Sequence, residues 1–528
     1  MNWTNYLELV GLGLIMTDEA SRDPQVIIYT VGYCIYNIAF HPLRNFPGPK
    51  LWAASFVPST REALSGRLPF AIKDLHDEYG EVVRVGPNTL SFDSAQAWED
   101  IYGHLKGDKK KTFEKDYEFY GPTVSGAANI IMAKEDDHRR FRKLQSHAFS
   151  EKALKAQESY LQRYTRSFID RLHDQVKGTS KGLVPMSMWY NFTTFDLIGD
   201  LAFAHSFGMT ENAELHPWVK ITFDYIKMME FMRLTRIFPS VEKVLHYFIP
   251  QSLKDVRTNH AKWSAEKAQA RVQMNTDRQD FMSYLLKGDD KNGLTKDEIN
   301  EAATILILAG SETVSFRLIT HELGIFGFMT NGRDKQTATV LTGVTYFLLN
   351  RPETYERLKT EIRGSFTSDK EMDLSSLAQQ NYLNACLEEG LRMYPPAPTA
   401  MPRRSPTGGG VVCGEVIPEN AVVGVTSWAA HRSARNWLYP DDFMPERWLG
   451  DPRFAGDSQK ASQAFSYGPR NCIGKNLAFA EMRLILANLI WNFDLELPQE
   501  EKDWFARNKI FILWEKPELH IKLSSRLV

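Results

Sequence analysis

Near the C-terminus a cysteine stands between two glycines directly ahead of an apolar helical run, and no other feature restricts the chain as much. The segment reads Phe465-Ser466-Tyr467-Gly468-Pro469-Arg470-Asn471-Cys472-Ile473-Gly474 and continues into Lys475 to Trp491. A cysteine just before a helix start meets unpaired N–H groups and the positive end of the helix dipole, which favour a thiolate. Gly468 supplies a tight turn, and Gly474 withholds a side chain where a flat ligand approaches. Arg470 adds a cation that grips a carboxylate with two parallel hydrogen bonds. Together these groups suit a metal macrocycle that bears carboxylates. A buried, inert cysteine is the alternative for any single Cys, but here the pattern F-x-x-G-x-R-x-C-x-G is complete.

The remaining composition narrows the context. With 63 basic and 65 acidic side chains the net charge is −2, which lacks the basic footprint of a nucleic-acid binder. Hydrophobic residues at 43% and charged residues at 24% exclude a disordered chain. A chain of 528 residues buries most of its apolar surface without disulfide staples. Cys34, Cys386, Cys413 and Cys472 are far apart and form no C-x-x-C pair, so neither a disulfide framework nor a zinc knuckle is expected.

Val26 to Phe40 carries no charge, and Tyr29, Tyr33 and Tyr36 within it suit a membrane interface. A full span needs about 20 apolar residues. Two readings stay open: a membrane anchor formed by residues 1–40, or a hydrophobic helix buried in the main domain. A secretory signal fits poorly, because Asp18, Glu19 and Asp23 precede the stretch where basic residues belong. Arg44 and Lys50 follow it and would put the main domain on the cytoplasmic face. Residues 41–50 contain Pro42, Pro47 and Pro49, which predict a stiff, non-helical hinge.

Residues 51–528 read as one large domain, mainly α with small β-sheets. Apolar spacing of three and four predicts helices over Glu151 to His173, Val256 to Met274 and Lys296 to Leu308. Strand-like pieces occur at Val82 to Val85, Thr89 to Phe92, Val411 to Ile417 and Ala421 to Val425. Proline and glycine gather in Pro395 to Gly410 and Trp437 to Gly474, and irregular stretches of that length are usually functional.

On the Cys472 segment, the chain resembles the haem-thiolate monooxygenases of the cytochrome P450 family. Ser427-Trp428-Ala429-Ala430-His431-Arg432-Ser433 and Gly450-Asp451-Pro452-Arg453-Phe454 resemble the fungal secondary-metabolism members of isotrichodermin-hydroxylase-like type. The resemblance implies the cytochrome P450 fold and haem b. It makes Cys472 the axial ligand of the iron, pairs Arg470 with a haem propionate and has Phe465 shield the thiolate. Glu389-Gly390-Leu391-Arg392 places opposite charges one helical turn apart, and with Arg447 it resembles the family's buried Glu–Arg–Arg scaffold. Ala309-Gly310-Ser311-Glu312-Thr313 matches A-G-x-[D/E]-T. Ala309 and Gly310 would leave room for dioxygen, and Glu312 with Thr313 would relay protons to it. His138 and Arg142 stand where many relatives have W-x-x-x-R; these two and Arg403 would hydrogen-bond a propionate, or else form a solvated basic face.

The same resemblance implies O2 and a small apolar substrate, a terpenoid or polyketide. NADPH electrons would come through a separate reductase docking near Arg470 and Lys475, since no G-x-G-x-x-G is present. The implied location is the endoplasmic reticulum membrane. Three other functions remain open: an isomerase or dehydratase on the same fold, an inactive haem-binding protein, and a cysteine hydrolase using Cys472 and a histidine such as His431.

The family pattern would run from Thr313 straight into Thr337, but twenty-three residues, Val314 to Gln336, intervene. Gly324, Gly327 and Gly332 within them suit the centre of a core helix poorly, so the central helix is predicted to be broken here. The segment keeps the frame and reads as a translated, unspliced intron, with a genuine inserted loop as the alternative. Sequencing the mature transcript should show codons 314–336 removed; a message that retains them rejects the intron.

Overall fold

The computed structural model describes residues 24–104, 112–121, 123, 125–218, 251–274, 276–286, 293–312 and 339–526. The uncharged N-terminal stretch forms helix α1 (Pro24–Ala39), begun by a proline whose fixed φ suits a first turn. Its 16 residues reach about 24 Å at 1.5 Å each, short of a bilayer core of about 30 Å. Among the described residues no helix is long and apolar enough to cross a membrane. Burial inside the main domain is excluded, because Ile28 is 72% and Phe40 67% exposed. The C-terminal end of α1 is seated on the body instead. Asn37 is buried, its Nδ2 donates to Ala54 O at 2.9 Å and its carbonyl accepts from Arg84 at 2.9 Å.

The proline hinge docks on the first strand, β1 (Val82–Gly86). Pro47 O accepts the Arg84 N–H at 2.7 Å. Gly48 has φ +150°, and a Cβ there would stand 2.5 Å from Arg84 O, so only glycine permits the approach. Strand β1 begins a five-stranded sheet that continues through β2 (Thr89–Phe92). Its two remaining inner strands come from distant parts of the chain, and β3 (Glu114–Lys115) forms the far edge.

Helices supply most of the interior. They include α2 (Glu135–Ser146), α3 (Glu151–Lys177), α4 (Met186–Phe203), α5 (Gln251–Gln273) and α6 (Lys296–Glu312). Ser150 caps α3 by accepting the Ala153 N–H, and the helix runs one turn beyond the predicted end. Helix α4 is buried on every side except at Met188, as its apolar text requires, and packs between α3, α5 and α6. Thr313 and the 314–336 segment lie outside the described residues, as do the side chains of Ala309, Gly310 and Glu312.

The chain resumes with α7 (Thr339–Leu349) and α8 (Asn381–Met393), which pack against each other. Glycine makes this contact close: a Cβ on Gly390 would lie 2.1 Å from Val344 Cγ2, and one on Gly343 would lie 2.7 Å from the Tyr394 ring. Next come β4 (Arg403–Arg404) and β5 (Val422–Val425), giving the sheet order β1-β2-β5-β4-β3 with only β2 and β5 parallel. Val411 to Ile417 is not one strand. It is a hairpin, Gly410–Val412 against Glu415–Ile417, because Cys413 and Gly414 both adopt positive φ and close a two-residue turn. Helix α9 (Lys475–Asn492) follows the cysteine segment and packs on α3.

Replacing Gly390 by Ala overpacks the α7–α8 contact and should cost about 1–3 kcal/mol. Urea unfolding of wild type and Gly390→Ala checks this.

Candidate active site

The Cys472 segment is a folded-back loop whose turns depend on two residues with positive φ, Ser466 and Gly468. A Cβ on Gly468 would stand 1.9 Å from Tyr102 O, so glycine is required there by both conformation and space. The Cys472 N–H donates to Phe465 O at 2.8 Å and the Asn471 N–H to Gly468 O at 3.1 Å. Phe465 packs against Phe479 of α9, with ring centroids 5.7 Å apart. Gly474 caps α9, and a Cβ on it would meet only Phe149 at 3.8 Å and the Cys472 Sγ at 3.9 Å. Both are ordinary contact distances, so Gly474 sits directly against the sulfur and the Phe149 ring. Burial pushes the Cys472 thiol up, opposed by the Gly474 N–H and by Arg142 and Lys475.

Arg142 has a partner other than the expected one. Its guanidinium donates to Asn471 O and, at 2.5 Å, to Asn471 Oδ1, so it clamps the cysteine loop to α2. Two residues earlier on α2, Arg140 donates to Glu298 of α6 at 2.5 Å and to Gly293 O at 3.0 Å.

His138, Arg403 and Arg470 do come together. Lys115, which the sequence did not single out, joins them because β3 pairs with β4 and sets Lys115 opposite Arg403. Burial drives the Lys115 ammonium well down, with Arg403 and Arg470 adding to it. Burial and the surrounding cations Arg470, Lys115, Arg142 and Arg403 lower His138 to about 3, so its imidazole is neutral. Arg403 is buried, and its Nε has no hydrogen-bond partner among the described residues. Arg470 donates to Ala133 O at 2.9 Å and lies 3.3 Å from Glu135. Its side chain is only 9% exposed, so it does not belong to the surface on which a reductase was expected to dock.

The predicted Glu–Arg–Arg set is fully buried and mutually bonded. Arg392 reaches Glu389 through two bonds of 2.9 and 2.8 Å, and Arg447 Nε donates to it at 3.1 Å. The Trp448 Nε1–H and Met444 N–H complete the shell of Glu389 at 2.9 and 2.8 Å. Burial raises the Glu389 carboxyl, but Arg392 and Arg447 outweigh it and hold it below the ordinary 4.5. His431 is a second residue whose role only the structure shows. Its Nδ1 donates to Arg392 O at 3.2 Å and its Nε2 accepts the Gln463 N–H at 3.1 Å. Both ring nitrogens are committed, so His431 is not a base for Cys472.

The thiol loop is backed by a buried cationic cluster. The Cytochrome P450 profile matches residues 47–321 and 323–523, with its break inside the 314–336 segment. The chain belongs to the cytochrome P450 family. Cytochrome P450 monooxygenase aclL of Aspergillus oryzae is 40% identical over 94% of this chain and 96% of its own. Monooxygenase astJ of the same species is 41% identical over 94% of each. Trichothecene C-15 hydroxylase of Fusarium sporotrichioides is 38% identical over 95% and 96%. This P450 is a haem-thiolate monooxygenase of the fungal secondary-metabolism type.

The residues fit haem. The orphaned Arg403 Nε and its cationic neighbours suit two carboxylates, and the Cys472 thiol suits the iron.

Glu389→Gln leaves Arg392 and Arg447 without their counter-charge and should cost roughly 3–5 kcal/mol at pH 7. Because the folded carboxyl titrates below 4.5, this contribution is complete above that pH and is lost as pH falls through the folded value. Urea titrations of both proteins should therefore converge on acidification.

Proposed function

We propose that this P450 inserts one oxygen atom of O2 into an apolar fungal terpenoid or polyketide, using NADPH electrons passed on by a flavoprotein reductase. The observation that carries the haem site is the buried cationic cluster beside the Cys472 loop, which has too few carboxylates of its own. Haem, when bound, supplies an iron that activates dioxygen. Cys472 would hold the iron, while Arg403, Arg470, Lys115 and His138 would bind the propionates. Phe465, packed beside the loop, would keep water from the sulfur. Gly468 and Gly474 shape the loop around the ring edge.

On the opposite side, Ala309 and Gly310 would admit dioxygen, and Glu312 and Thr313 would move protons to it; the A-G-x-[D/E]-T text supports these roles. The name of the hydroxylase relative supports hydroxylation of a secondary metabolite. Exposed Lys475 offers a reductase with acidic docking groups a partner charge.

Residues 51–528 would form the catalytic domain, held by the 41–50 hinge to an N-terminal region, 1–40, at the endoplasmic reticulum membrane. The exposed apolar face of α1 and the basic residues Arg44 and Lys50 after it support a cytoplasmic catalytic domain.

The carbon monoxide difference spectrum of the reduced, haem-loaded protein tests the assignment. Wild type should give a thiolate-type Soret band that Cys472→Ser abolishes. Failure of the band both in the full chain and after deletion of residues 314–336 rejects it.

A further inference from the structure

Beneath the five-stranded sheet lies a cavity of about 230 Å³ that the proposed site does not use. The helix Leu68–Tyr79, strands β2 and β5, and the turn between Lys509–Phe511 and Leu513–Glu515 enclose it. Phe56, Ile72, Leu90, Val423 and Ile512 give it an apolar wall, while Asp116 and Glu118, both engaged by Arg404, line it elsewhere. Thr399 and Ala400 also line it.

Into this apolar wall the fold builds a directed chain of hydrogen bonds. His76, Ser91 and Thr426 are 1%, 3% and 1% exposed. His76 Nδ1 lies 2.9 Å from Gly80 O. A carbonyl only accepts, so Nδ1 carries the proton and Nε2 is an acceptor. Burial lowers the His76 pKa, which keeps the ring neutral despite Asp93. Ser91 Oγ, 2.9 Å from Nε2, therefore donates its hydrogen to the ring. Thr426 Oγ1, 2.9 Å from Ser91 Oγ, donates in turn to Ser91. The Thr426 hydroxyl has then spent its only hydrogen and retains lone pairs, so toward any further partner in the cavity that Thr426 lines it is purely an acceptor. Thr60 Oγ1, from the helix Val57–Leu64 on the same cavity, is buried without a hydrogen-bond partner among the described residues.

We propose that the cavity receives the hydroxyl-bearing end of an apolar alcohol, whose O–H donates to Thr426 Oγ1. This deepens the monooxygenase reading and rests on it, since it names the substrate as a molecule that already carries a hydroxyl group. The cavity volume suits one end of such a molecule, not the whole of it. An apolar ketone of the same shape has no hydrogen to give and leaves the threonine oxygen unsatisfied.

Menthol and menthone are suitable probes, because they differ in this donor and little in shape. Isothermal titration calorimetry on the haem-loaded full chain should give menthol about fivefold tighter binding than menthone, the ratio that about 1 kcal/mol yields. Thr426→Val keeps the shape, removes the acceptor and should abolish the ratio. Ser91→Ala frees the Thr426 hydrogen to donate, so menthone should then bind at least as tightly as menthol. Equal affinities in wild type, or a menthol preference that survives Thr426→Val, overturn the proposal. So does an unchanged preference in Ser91→Ala, which serves as the test if the valine variant fails to fold. The carbon monoxide band of the same samples is read separately: its absence in wild type counts against the monooxygenase reading, whereas a normal band with no alcohol preference counts against the cavity alone.

Discussion

One buried carboxylate organises the loop-rich third of this P450. Glu389 accepts hydrogen bonds from two arginines, an indole and a backbone amide, so its charge is neutralised without solvent. Its partners then extend outward. Arg392 donates to the carbonyls of His431, Pro440 and Asp442, and Arg447 to those of Leu438 and Tyr439. Irregular chain buried without a ladder needs such donors. A buried ion pair adds little net stability over an apolar replacement; what this one provides is a fixed course for the loop. Through His431, which joins Arg392 O to the Gln463 amide, the same frame reaches the segment that carries Cys472.

The two charged interiors of the molecule behave in opposite ways. Around Glu389 the charges are matched within the chain, and the set is complete as folded. Around Arg403 and Lys115 they are not, and burial holds cations near one another. A dianionic ligand removes that imbalance, so binding it also stabilises the fold.

Much of this could be read from short-range text. Phe465 to Gly474 and Glu389 to Arg392 carry their geometry within ten residues, and the long helices declare themselves by apolar spacing. Lys115 was hidden because it enters the cationic cluster only through strand pairing with Arg403, which no local pattern encodes. His431 was misread for a similar reason: both its partners are remote backbone groups. Arg142 shows the limit of spacing alone. Its position on α2 was legible, but its choice of Asn471 depends on where the cysteine loop lies. The hairpin at Val411 to Ile417 was missed because Cys413 is a weak turn signal for a residue at positive φ. For α1 the length was plain, while its exposed face is a property of the surface on which it lies.

Helix α2 has a mechanical consequence. It grips the cysteine loop through Arg142 and the start of α6 through Arg140, so it acts as a strut between the two elements that flank the haem position. A tilt of α6 on admitting a substrate would be transmitted along this strut to the loop that holds the sulfur. The position of the cysteine loop is thereby tied to that of the start of α6 through a single helix.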